Sequence, residues 1–179
     1  MLVKKIVSAG LLAIAILMVG VVVAPTLHAQ ATPTAAQCTA AQTRLATRIT
    51  KVEAATTTQS KVYSDLQARV DALNSSATDA GYEVEGLADF TAAQTTLSNK
   101  IVAYVTASIA YSTALTAAKD TACSATNAEF RAAVIAARTA LTTFRTASAE
   151  VRSTFRTEVI PVLKDYAAWL KEQAITEEN

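Results

Sequence analysis

The sequence predicts an all-α protein: an elongated, antiparallel three-helix bundle of coiled-coil type, running up, down and up behind an N-terminal signal or anchor segment. Three observations carry this. Apolar residues recur at alternating steps of three and four along three long stretches. Alanine and threonine together make up roughly two-fifths of the chain after position 30, and an alanine surplus favours helices without demanding bulky side chains. The chain has only four Gly and three Pro in 179 residues, too few for a turn-rich β-sandwich.

Residues 1–31 come first. Met1 to Lys5 carries two lysines, Ile6 to Val23 is free of charge, and Ala24-Pro25 leads to the small-residue stretch Ala29-Gln30-Ala31. Basic start, apolar middle and A-x-A exit are the layout of a secretory signal, with cleavage expected after Ala31 or Ala29. The apolar run is also long enough for an uncleaved membrane anchor through residues 6–25. Under either fate the lysines mark the cytoplasmic side and the rest of the chain is exported. Without Lys4 and Lys5, 16 basic against 15 acidic residues become 14 against 15, a near-neutral domain with no global pull toward nucleic acid.

The predicted bundle occupies residues 34–174, with 175–179 as an acidic tail. Its first helix, about 36–77, carries the stripe Leu45, Ile49, Val52, Thr56, Gln59, Tyr63, Leu66, Val70 and Leu73. Gly81 suits its C-terminal cap, and Gly81 to Gly86 is the one segment without helical period. The second helix, about 86–122, carries Leu87, Phe90, Gln94, Leu97, Ile101, Tyr104, Ser108, Tyr111, Leu115 and Ala118. It also has a second apolar stripe, Val102, Val105 and Ile109, expected to face the first helix, with a binding patch as the other reading.

Thr126 and Glu129 form the ends of a capping box that opens the third helix, about 127–173. Its stripe runs Phe130, Val134, Ala137, Leu141, Phe144, Ser148, Val151 and Phe155. It takes an extra step of four to Val159 before Val162, Tyr166 and Trp169. That insertion is a stutter beside Pro161, where a bend is expected rather than a break. Short connections force neighbouring helices to run antiparallel.

Antiparallel geometry then pairs the cysteines. The midpoint of Cys38 and Cys123 falls next to Gly81, so the two should meet across the first hairpin and, in an exported protein, form a disulfide at its open end.

The chemistry is as telling. The single histidine, His28, lies in the segment expected to be removed, so the mature chain lacks the usual triads and histidine metal sites. There is no glycine-rich phosphate loop. Asp79, Glu83, Glu85 and Asp89 gather near the turn, but counting from Asp79 puts Val84 where an EF-hand needs glycine. No catalytic residue, metal or cofactor is assigned, and the protein is expected not to be an enzyme.

Two features point to partners. Arg131, Arg138, Arg145 and Arg152 follow one another at seven-residue steps and are extended by Arg156, a basic stripe on the third helix. Such flank charges commonly cover a seam and pair with acids, here Asp120 or Asp89. The sharper reading is a docking face for an anionic partner such as an envelope polymer, lipid head groups or an acidic protein. The third helix also overhangs the turn, so Tyr166, Trp169 and Leu170 either cap it against Tyr82, Val84 and Leu87 or expose an aromatic anchor at Trp169.

The functional expectation is a non-enzymatic, extracytoplasmic spacer, scaffold or interaction module of the bacterial cell envelope. The alternative is a periplasmic or extracellular chaperone or carrier for apolar clients or anionic polymers. Self-association through the heptads is compatible with both. No nucleic-acid partner is expected.

Overall fold

The computed structural model describes residues 34–82, 84–124 and 126–177. The chain divides into two units, Met1–Pro33 and Thr34–Asn179. The first, with the expected signal or anchor of residues 1–31, lies outside the described residues.

The described residues are helical, with no strand among them. They form α1 (Ala35–Asp79), α2 (Val84–Ser124), α3 (Asn127–Thr154) and α4 (Ile160–Glu177), the last two joined through a π-helical turn, Phe155–Val159, into one continuous third helix. Because α4 reaches Glu177, residues 175–177 are helical rather than a tail.

Local chemistry sets the boundaries. Thr34 caps α1 by accepting from Gln37 N–H, while the Gln37 side chain accepts from Thr34 N–H at 2.9 Å. The same reciprocal box opens α3, where Thr126 accepts from Glu129 N–H and Glu129 accepts from Thr126 N–H at 2.8 Å. The Thr126 hydroxyl also donates to the Glu129 carboxylate at 2.9 Å, and the backbone donation first and this one second hold that carboxyl below its ordinary range. At the end of α1, Gly81 takes φ of 73°, a left-handed conformation that glycine adopts without a Cβ penalty. Tyr82 N–H reaches Ala77 O at 3.0 Å and Gly81 N–H reaches Thr78 O at 3.1 Å, the paired bonds of a Schellman stop.

The stutter becomes the π turn. Ile160 N–H bonds to Phe155 O, five residues back, so the turn absorbs one extra residue and the helix continues. Pro161 follows directly. In a regular helix its ring would press on the carbonyl four residues earlier, that of Thr157, and its missing N–H would leave that carbonyl without a partner. The widened turn relieves this conflict, and Val151, Val159, Leu163 and Tyr166 stay buried on either side of it.

The threonine-rich composition is satisfied within the helices. Exposed threonines such as Thr43, Thr57, Thr95 and Thr142 donate to the carbonyl four residues earlier, so they need no partner from another helix.

Large side chains meet along α2. Asn74 Nδ2 donates to Gln94 at 2.9 Å near the turn, the Tyr63 and Tyr104 rings meet edge-on at 5.0 Å, and Cys38 Sγ donates to Ala122 O at 3.5 Å at the far end. On the other side Phe90 meets Tyr166 at 6.3 Å, Lys100 bonds Glu150 at 3.0 Å and Tyr111 stacks on Phe144 at 5.9 Å. Close backbone approach therefore joins α2 to α1 and α2 to the third helix, and no comparable approach joins α1 to the third helix. The burial pattern agrees: among the described residues α2 buries nine core residues and Ser108, whereas α1 buries only Val52, Tyr63, Val70 and Ala77.

The second stripe of α2 departs from expectation. Val105 packs partly against the core, but Val102 and Ile109 are 61% and 62% exposed.

Candidate functional site

Each candidate residue takes its place from its helix. Cys38, in the first turn of α1, and Cys123, near the end of α2, are brought together as free thiols, Cys38 half-buried and Cys123 exposed. Desolvation, and then the Cys38 thiol beside it, hold the Cys123 thiol above its ordinary value. The thiolate is thus disfavoured, the opposite of what a reactive cysteine needs.

Arg131, Arg138, Arg145 and Arg156 are exposed, and Arg152 is half-buried. The drift has a simple cause: seven residues fall short of two full helical turns by about 20°, so successive arginines rotate toward the core. Among the described residues no ion pair joins Arg131, Arg138, Arg152 or Arg156 to an acid, while Lys100 pairs with Glu150 and Lys119 lies 3.6 Å from Asp120.

At the tip, Tyr82 packs against Tyr166 at 5.2 Å and against Trp169 at 5.3 Å, and Tyr166 stacks on Trp169 at 6.1 Å. Tyr166 is buried, which pushes its hydroxyl pKa up, while Trp169 and Leu87 are half-buried beside it. The tip is therefore an aromatic cap, and Trp169 is part of it rather than a free anchor. Leu170 stays 37% exposed. Gly86 makes room for this cap: a Cβ there would lie 2.6 Å from Tyr82 Cζ and 2.8 Å from its hydroxyl oxygen.

Two features escaped the sequence. One is a polar cluster between α1 and α2, where Asp71 Oδ1 accepts from Gln67 at 2.8 Å and from Gln94 at 2.7 Å. Farther along lie Thr56, Tyr63 and Tyr104. Burial, with Tyr63 alongside, pushes the Tyr104 hydroxyl up to about 12, and the Thr56 hydroxyl pulls it partly back. The Tyr63 hydroxyl oxygen is buried with no hydrogen-bond partner among the described residues.

The other is a second set of cations on α1. Arg44, Lys51 and Arg69 are exposed, and Arg48 Nε donates to the Tyr111 hydroxyl of α2 at 3.2 Å. Arg44, Arg48 and Lys51 follow one another at steps of four and three, and each, like Arg69, stands just before a stripe residue, which is the signal a shared face leaves in the sequence.

No three of His, Cys, Asp and Glu come together as a metal-binding group among the described residues. The apolar depression on α2 lined by Leu87, Ala88, Thr91, Ala92, Thr95 and Thr96 is open to solvent and encloses nothing. By length and composition, Gly86–Cys123 is a helix that could cross a membrane, and the same apolar character serves a central helix packed on two sides. No family model, curated protein or solved structure matches the chain.

Proposed function

We propose that residues 34–177 form an elongated up-down-up three-helix bundle that serves as a non-enzymatic spacer or scaffold outside the cytoplasm. The observation that carries this is how the large and polar side chains are spent. They join α2 to its neighbours along its whole length, from the cysteine end to the aromatic tip, and among the described residues the apolar depression on α2 is open to solvent. In this reading Cys38 and Cys123 are oxidised to a disulfide at the end nearest the membrane or the cleavage site, and the tip points away. The basic apolar start and the A-x-A site support the location.

Two experiments test it. Small-angle scattering of the purified protein should show a rod about 65 to 75 Å long, from 1.5 Å per residue along the helices. A compact or coil-like profile overturns the rod. N-terminal sequencing of the native protein should begin at residue 30 or 32 if processed, or at Met1 in the membrane fraction if anchored. Met1 on a soluble cytoplasmic protein overturns export.

A second reading has its own support. Val102 and Ile109 are exposed on a face of α2 that carries no exposed charge from Thr91 to Ala117. Such a face suits a carrier of apolar clients, which should slow aggregation of an unfolding test protein; Val102→Ser with Ile109→Ser should remove the effect.

A further inference from the structure

We propose that the seam between α1 and the third helix is a cationic trough with two rims, which takes a linear anionic polysaccharide. This rests on the scaffold reading and names what the scaffold holds.

The register comes first. Val52 of α1, Tyr111 and Leu115 of α2, and Ala137 of α3 share one core cluster, and Tyr63 and Val70 share another with Ala147 and Val151. Lys51 therefore lies level with Arg138, their chain neighbours Val52 and Ala137 being in the same cluster. By the same offset Arg44 lies level with Arg131, and Arg69 with Arg156.

Charge is then sorted by face. Between Arg44 and Arg69 on α1, and between Arg131 and Arg156 on the third helix, ten cations stand against Glu53, Asp65 and Glu150. Two of those three acids turn to α2, Glu53 accepting from Ser112 at 3.4 Å and Glu150 pairing with Lys100 at 3.0 Å. Asp65 is exposed, and of the ten cations Arg48 bonds α2 through the Tyr111 hydroxyl.

The seam is also open enough to admit a charged group. The backbones of α1 and the third helix do not approach as each approaches α2. Arg48 enters between them and donates to the hydroxyl of Tyr111, whose ring stacks on Phe144 at 5.9 Å.

The shape selects the occupant. The run from Arg131 to Arg152 covers 21 residues, about 31 Å, with a cation about every 10 Å. Guanidinium groups at that step suit one extended chain bearing carboxylate or sulfate at each repeat, which arginine engages bidentately. A bilayer or a duplex presents charge across a breadth that a single seam does not match. The aromatic rings bordering the seam are packed in the core rather than presented for base stacking.

The test measures binding of the full-length protein to heparin by calorimetry at low salt, beside phosphatidylglycerol vesicles, polyglutamate and oligodeoxythymidylate. Three double variants lose the same charge: Arg131→Gln with Arg138→Gln on one rim, Arg44→Gln with Lys51→Gln on the other, and Lys61→Gln with Lys171→Gln as control. All six residues are exposed, so the fold should persist, and circular dichroism checks it. Each rim pair should weaken heparin binding about tenfold, and the control pair less than about threefold. If the α1 pair behaves like the control, the trough is wrong. Tighter binding to vesicles, polyglutamate or oligonucleotide overturns the occupant. A rod by scattering that ignores heparin removes the trough alone, whereas loss of the rod removes the scaffold reading beneath it.

Discussion

Tyr63→Phe should stabilise the protein, although Tyr63 is among its most buried residues at 4% exposure. The ring contributes through its edge-on contact with Tyr104 at 5.0 Å, and phenylalanine keeps both the ring and its position. What the substitution removes is the hydroxyl, whose oxygen is buried without a partner among the described residues. An unpaired buried hydroxyl costs about 1–3 kcal/mol of desolvation, and removing it returns that amount less the small void left behind. The expected gain is therefore about 1 kcal/mol. In a chain of this size that raises the melting temperature by roughly 2–4 °C. Urea unfolding followed by circular dichroism measures it, provided the slope is unchanged and the midpoint alone moves. Tyr104→Phe is the control, since it leaves Thr56 without its neighbouring hydroxyl and should be neutral or destabilising. A loss of 1 kcal/mol or more in Tyr63→Phe would mean the hydroxyl is hydrogen-bonded in solution, and the argument from an unpaired group would fail.

Three further outcomes are expected. Oxidation should join Cys38 to Cys123 without refolding; closing a loop of about 85 residues stabilises by about 4.5 kcal/mol on the chain-entropy account, so unfolding with and without reductant should differ widely, and two titratable thiols after oxidation would refute it. Gly86→Ala should cost about 1–3 kcal/mol and alter Trp169 fluorescence, because a Cβ there collides with the Tyr82 ring that Trp169 packs on; an unchanged spectrum and stability would contradict the close contact. Stability should fall in alkali: Tyr104 keeps its proton to about 12 when folded but only to about 10 when unfolded, so its contribution is intact below pH 10 and lost between 10 and 12, on the order of 3 kcal/mol in total. Tyr104→Phe should flatten that decline, and an equal decline in both proteins would assign it elsewhere.

The helix punctuation was open to reading because it rests on chemistry within a few residues. Thr126 and Glu129 announce the capping box of α3, and Gly81 announces the left-handed stop of α1, since each motif is complete in the local sequence. Thr34 and Gln37 spell the same box at the head of α1, equally complete in the local sequence. The extra step from Phe155 to Val159 gave the place of the π turn but not its form. Periodicity counts residues and does not say whether a helix bends or widens to absorb one.

Pairings between helices were harder to read, for a physical reason that Val102 and Ile109 illustrate. Helical phase says that they lie off the main stripe of α2. Whether that direction meets α1 or water depends on the angle between the lines by which α2 touches its two neighbours. Those lines are set by large side chains on other helices: Tyr63 against Tyr104 on one side, Phe144 against Tyr104 and Tyr111 on the other. With so many alanines and threonines elsewhere, these few rings act as spacers, and they hold α1 and the third helix apart while each closes on α2. Val102 and Ile109 stay in water, and Arg48 reaches from α1 to the Tyr111 hydroxyl of α2. An arginine row every seven residues can be found on one helix by counting. The facing cations at Arg44, Lys51 and Arg69 become a second rim only once the rings have fixed how far apart the helices stand.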